Sequence, residues 1–153
     1  MLVSLGDVER AESLSQELLE MAGADPRIRH FACHFLADCA LIRGDTHQAG
    51  ERYRESLRAA LPLGDVIETS LEMQGVAMAA AGNADPQRAL RLSGSVEALW
   101  ESLGTSISMT FWDTLLARYL GPAREQLGAG AEAAWAEGRA MPFDDAVALA
   151  LRA

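Results

Sequence analysis

Gly44-Asp45-Thr46-His47-Gln48-Ala49-Gly50-Glu51-Arg52-Tyr53-Arg54-Glu55-Ser56-Leu57 holds a complete helix start and the beginning of an apolar stripe. Gly44 offers an end to the preceding helix. Asp45 offers a side-chain oxygen to the free N–H groups of the next one, and Gln48 stands where a reciprocal capping-box side chain would sit. Tyr53, Leu57, Ala60 and Leu61 then keep helical spacing. Gly6-Asp7 and Gly82-Asn83 stand 38 residues before and after Gly44-Asp45, each pair between stretches that read as helix. A fixed interval of this size marks a chain built from stacked helical hairpins, because one such unit cannot bury its apolar face alone.

The punctuation on either side agrees. Asp25-Pro26 and Asp85-Pro86 each place a capping carboxylate before a proline suited to the first helical position, and Asp7, Asp45 and Asp65 can cap the helices that follow them. These signals predict helices over Asp7–Met21, Pro26–Arg43, Thr46–Leu61, Val66–Ala81 and Pro86–Leu103. The linkers of two to five residues suit antiparallel neighbours. No segment alternates with period two for long enough to suggest a strand.

The period is expected to break after Leu103. Ile107–Leu120 reads as a helix rich in aromatics, and Gly121-Pro122 is expected to kink or end it. Ala131–Arg139 and Pro142–Arg152 read as two further helices, the last with Pro142 at its first position. The expected architecture is all-α: a right-handed superhelical stack of antiparallel hairpins over residues 1–104, with a helical cap over 105–153. Trp135, Val147, Leu149 and Leu151 are the expected contacts of that cap. Met1–Leu5 reads as the last turn of a truncated inner helix, so the first repeat is incomplete. Its apolar surface is a candidate contact with a second copy or with a longer polypeptide.

Composition narrows the function. The formal charge is −9, with a sequence pI near 4.7. Neither a basic patch nor a basic stripe is present to neutralise phosphates, so direct nucleic-acid contact and an anionic membrane surface are both disfavoured. No apolar run approaches the ~20 residues of a membrane span, and no secretory leader is visible. All 13 basic residues are arginine; without lysine there is neither a phosphate-loop lysine nor a Schiff base. Cys33 and Cys39 point about 120° apart on one helix, too divergent for a disulfide. A reducing, cytoplasmic setting is expected. Nothing in the sequence calls for a cofactor, and no constellation supports catalysis.

In a stack of hairpins the first helix of each pair lines the concave face. That register assigns Phe31, His34, Asp38 and Ile42 to the face in one repeat, and Thr69, Glu72 and Val76 in the next. The mixture of apolar and acidic groups would suit a basic peptide or helix. His30, Cys33 and His34 are the sharpest alternative, since two imidazoles four residues apart could reach one metal. Glu68 and Glu72 read as a solvated acidic strip, and Trp112, Tyr119 and Trp135 as aromatics that seal the end of the core.

Gly44–Leu57 resembles the tetratricopeptide repeat: a turn glycine, then a small residue, an aromatic and a small-Leu pair. Gly6 with Ala11 and Leu19 repeats part of it, as do Gly75, Gly82 and Ala89, at a spacing longer than the standard unit of about 34 residues. Arg88-Ala89-Leu90-Arg91-Leu92-Ser93-Gly94-Ser95-Val96-Glu97-Ala98-Leu99, Ala134-Trp135-Ala136-Glu137-Gly138-Arg139-Ala140 and Asp144-Asp145-Ala146-Val147-Ala148-Leu149-Ala150 resemble a more specific tail. It is the C-terminal end of bacterial signal-transduction ATPases with maltose-regulator-like repeats, many of them LuxR-type transcription regulators. The likeness spans Gly44–Ala153 and departs from the family at Gly121-Pro122, where the family usually continues as unbroken helix. It implies a non-catalytic array that senses an inducer, or a protein or peptide partner, and restrains domains placed upstream in the same polypeptide. The rival reading is a stand-alone homo-oligomeric scaffold.

Overall fold

Five helices begin on an aspartate, and each of those aspartates accepts N–H groups of the turn it opens. Asp7 accepts from Arg10, Asp25 from Arg27 and Ile28, and Asp45 from Gln48. Asp65 accepts from Ile67 and Glu68, and Asp85 from Arg88. Such caps are typically worth about 1 kcal/mol each.

The computed structural model describes residues 7–153, and among these every regular element is helical. They are α1 (Val8–Ala22), α2 (Pro26–Arg43), α3 (Thr46–Ala60), α4 (Val66–Gly82), α5 (Pro86–Ser102), α6 (Thr110–Leu127), α7 (Gly130–Arg139) and α8 (Phe143–Leu151). One 3-10 turn, Leu61–Leu63, extends α3. The expected truncated helix over Met1–Leu5 and the turn at Gly6 lie outside the described residues.

Each of α1 to α4 packs against the helix that follows it. Beyond them, α6 lies on α4 and α5, α7 lies on α5, and α8 turns back across α3, α4 and α5. Tyr53, Leu57, Met73, Met78, Leu92, Val96 and Trp112 anchor one core, which Ala146, Val147 and Ala150 of α8 join. Leu149 and Leu151 pack against its margin. Half-buried Trp135 instead bonds Glu97 and stacks under the Arg139 guanidinium at 4.7 Å. The last three helices therefore wrap back over the hairpins as well as ending the chain.

Several local expectations are corrected. Gln48 closes no capping box: the Asp45 N–H donates to Ala40 O, where Gly44 at φ 82° ends α2 in the left-handed region. Gly82 is helical rather than the turn residue. Ala84 takes the positive φ (61°), and the cap falls to Asp85, two residues beyond Asn83. Gly82 serves packing instead, since a Cβ there would stand 2.2 Å from Thr46 Cγ2.

Helix α6 starts at Thr110 and runs through Gly121-Pro122. Pro122 is solvent-exposed, and Gly121 carries no Cβ to meet the proline ring. Only one ladder bond is forfeited, and packing on both sides of the step holds the helix together. Pro142 caps α8 from outside, with Phe143 as its first residue.

Two glycines let the backbones of α5 and α7 approach closely. A Cβ on Gly138 would stand 1.9 Å from Arg91 O, and one on Gly94 2.3 Å from Trp135 O. Contact distance explains both glycines: two backbones meet where no side chain fits. Gly138→Ala is expected to cost about 1–3 kcal/mol or more in urea unfolding. Gly130→Ala, at a helical position with open space around it, should be neutral or stabilising by up to about 1 kcal/mol.

Candidate functional site

Helices α2, α4 and α6 place their polar residues against one another. Ring stacking brings Trp112 of α6 to His34 of α2, with centroids 5.9 Å apart and planes 22° apart. Tyr53 of α3 meets both rings edge-on. Farther along, the Tyr119 hydroxyl donates to Leu41 O and Arg118 to Ile42 O. Helix α6 thus reaches across α4 and seals the face of α2.

His34 sits at the centre. Its Nδ1 is 2.7 Å from Glu72 Oε1 and its Nε2 is 3.5 Å from Asp38 Oδ2. Asp38 also accepts the Tyr53 hydroxyl proton. One turn earlier, His30 Nδ1 lies 2.8 Å from Ser56 Oγ, while its Nε2 lies 3.3 Å from Glu68 Oε2. Trp112 Nε1–H donates to Gln74 Oε1, and Trp100 Nε1–H to Ser70 Oγ. Glu72 is fully buried, and its Oε2 has no hydrogen-bond partner.

The spacing of these bonds carries information. His30–Glu68, His34–Glu72, Gln74–Trp112, Glu97–Trp135 and Glu101–Arg139 are all pairs 38 residues apart. The interval seen in the Gly-Asp turns is therefore also the interval at which side chains of successive hairpins meet. It persists past Leu103, where the sequence reading ends the period.

The electrostatics follow from burial beside fixed carboxylates. Burial, the largest single influence on His34, pushes its pKa down. Asp38, then Glu72 by charge and hydrogen bond, and Glu68 together outweigh it and hold the imidazole at about 10. The cation faces the Trp112 ring, an arrangement that favours the charged form. Burial raises the Asp38 carboxyl against the lowering pull of His34 and the Tyr53 hydrogen bond. Burial likewise drives the Tyr53 phenol well above its ordinary value, helped by Asp38.

The expected concave-face residues occupy this interior rather than an open groove. Asp38, Thr69, Glu72 and Val76 are buried, and His34 and Ile42 are half-buried. Phe31 alone stays exposed, at 37%. The Glu68/Glu72 pair is likewise not a solvated strip, because each carboxylate is turned to an imidazole of α2. Trp112 and Tyr119 pack with the main core while Trp135 does not, and each of the three bonds a different helix.

Cys33 does not join the two imidazoles. Its buried thiol belongs to the group of Glu55, Arg52 and Arg29 on the α3 side, where burial first and Glu55 second push it up to about 12. Among the described residues no three His, Cys, Asp or Glu side chains are arranged to hold a metal ion. No helix among them is long and apolar enough to cross a membrane.

Comparison with protein-family models, with curated proteins and with solved structures finds no match to this chain.

Because the folded state raises the His34 pKa, it binds a proton that the unfolded chain releases earlier. The resulting stability is fully present below about pH 6.5 and is lost as pH rises toward 10. Urea unfolding across that window should show roughly 1–3 kcal/mol of loss in the parent protein. His34→Gln should be less stable at pH 6.5 and should lack most of this slope.

Proposed function

We propose that the chain is a non-catalytic helical-repeat module, a right-handed superhelical stack of tetratricopeptide-like hairpins. In this reading it serves a larger cytoplasmic signal-transduction ATPase or transcription regulator. The observation that carries the reading is the ladder of side-chain bonds at the 38-residue interval. It treats α2, α4 and α6 as equivalent inner helices, and α3, α5 and α7 as equivalent outer ones. The regulator role rests on the resemblance of the last hundred residues to the tail of such proteins.

With the inner face closed, contact with a partner or with upstream domains falls to an edge. Met21 (79% exposed), Phe31, Leu61, Val66, Leu103 and Met109 are large apolar residues left in water. These six lie at or near the ends of α1, α3 and α5 or the starts of α2, α4 and α6, while Leu14, the seventh such residue among those described, sits mid-way along α1. Antiparallel hairpins gather those connections on one side of the array. A row of apolar residues along it suits a protein surface. A partner that prefers one docking state of this edge would shift its population and pass the signal on.

The genomic reading frame upstream of Met1 tests the regulator role: an in-frame nucleotide-binding loop is expected, and a stop codon directly ahead of Met1 would overturn it. With the upstream domains supplied in trans, Met21→Glu with Phe31→Glu should weaken association about tenfold or more, a loss of ~1.4 kcal/mol. Thermal unfolding of the isolated chain should change little, since both side chains are exposed.

A further inference from the structure

Between α3 and α4 lies a cavity of about 440 Å³, bounded also by the α4–α5 turn, the first turn of α5 and Ala153. Arg54 and Arg88 face it across a wall formed by Val76, Ala79 and Ala80. We propose that this cavity binds a small organic anion, its oxyanion head held by Arg54 and Arg88 and a short aliphatic body laid on the α4 wall. The site stands on its own geometry and does not depend on the regulator reading.

Charge is the first argument. In a chain of net charge −9, arginines are expected to find carboxylates, and Arg29, Arg43, Arg52, Arg91 and Arg139 do. The other eight do not; of these, Arg54 and Arg88 are the two that line the cavity, and among the described residues neither has a carboxylate within 4.0 Å. Burial, then Arg88 and Arg58, pull the Arg54 guanidinium below its ordinary value; burial does the same at Arg88, with Arg152 adding to it. Glu51 at Arg54 and Asp85 at Arg88 offset this only in part. Asp85 is engaged as the cap of α5, and the Glu51 side chain is 60% exposed beside His47.

Hydrogen bonding is the second argument. Arg88 Nη2 donates to Leu149 O and Ala150 O, at 3.0 and 3.2 Å, and to Arg152 O, tying down the end of α8. That fixes the guanidinium and leaves its Nε–H buried with no acceptor. A guanidinium anchored in this way loses less side-chain freedom when an oxyanion binds its other N–H groups. Guanidinium groups match carboxylate and phosphate oxygens in geometry. The volume is that of a small-molecule site, for which roughly 300–1,000 Å³ is usual. The lining offers no Phe, Tyr or Trp on which a nucleobase could stack, so the body is aliphatic.

Amide NMR shifts of the 153-residue chain, titrated with butyrate, n-butyl phosphate and uncharged butanol, test the proposal. At least one anion should give saturable shifts at Gly50, Ala80 and Asn83 below about 10 mM, and butanol none. Saturation by butyrate assigns a carboxylate head, and saturation by butyl phosphate a phosphate head. Arg54→Gln, which leaves the Arg88 anchor of α8 in place, should weaken binding about tenfold or more. Glu51→Gln, on the exposed rim, should tighten it about twofold by removing an opposing charge. The proposal is overturned if neither anion saturates these shifts, if butanol gives the same shifts, if Arg54→Gln binds like the parent, or if Glu51→Gln binds more weakly.

Discussion

The pairing of His34 with Glu72 is the contact around which the inner helices close. A carboxylate with no exposed surface is tolerable only beside a donor or a cation. His34 supplies both, provided α2 and α4 stand in one register. Asp38 and Tyr53 complete the same network, and Trp112 lays its ring over the imidazole. A slip of one turn between α2 and α4 would leave one His–Glu pair where there are now two, and in one direction would set Glu72 against Asp38. The polar interior thus specifies the stacking register that apolar side chains alone would leave loose. The orphaned Glu72 Oε2 is a measure of what this specificity costs in stability.

Closure changes what the array offers. An open stack presents the first helices of its hairpins to a ligand. Here α6 packs against them, and Leu41 O, which also accepts the Gly44 N–H, and Ile42 O accept from Tyr119 and Arg118. The two surfaces proposed above are the apolar edge that includes Phe31 and the cavity lined by Arg54 and Arg88. They are separate in chemistry, one suited to a protein surface and the other to a small anion.

Much of this was legible in the sequence because it is local. An aspartate before a helical stripe caps it whatever the rest of the chain does, and all five did. Helix bounds followed within a few residues. The errors arose where distant elements decide. Gly82 carries the turn composition, yet Thr46 packs on it and the turn falls two residues later. Pro122 breaks helices in isolation, but packing on α4 and α5 carries α6 through it. His34, Asp38 and Glu72 do meet one another, but no local pattern shows that they meet in the interior rather than on an open face. A signal was nonetheless present: His30 and Glu68, His34 and Glu72, and Gln74 and Trp112 are complementary pairs at the interval already visible in the turns.

The most direct test of the closed ladder is a double-mutant cycle on Gln74 and Trp112, read by urea unfolding. Trp112→Phe removes the indole donor and leaves the Gln74 amide oxygen buried and unpaired; Gln74→Leu does the reverse. With both changed, nothing polar is stranded, so the double variant should lose less than the sum of the singles by about 0.5–2 kcal/mol. Losses that add to within about 0.3 kcal/mol would mean that α6 does not lie across α4, and the closed inner face would be wrong.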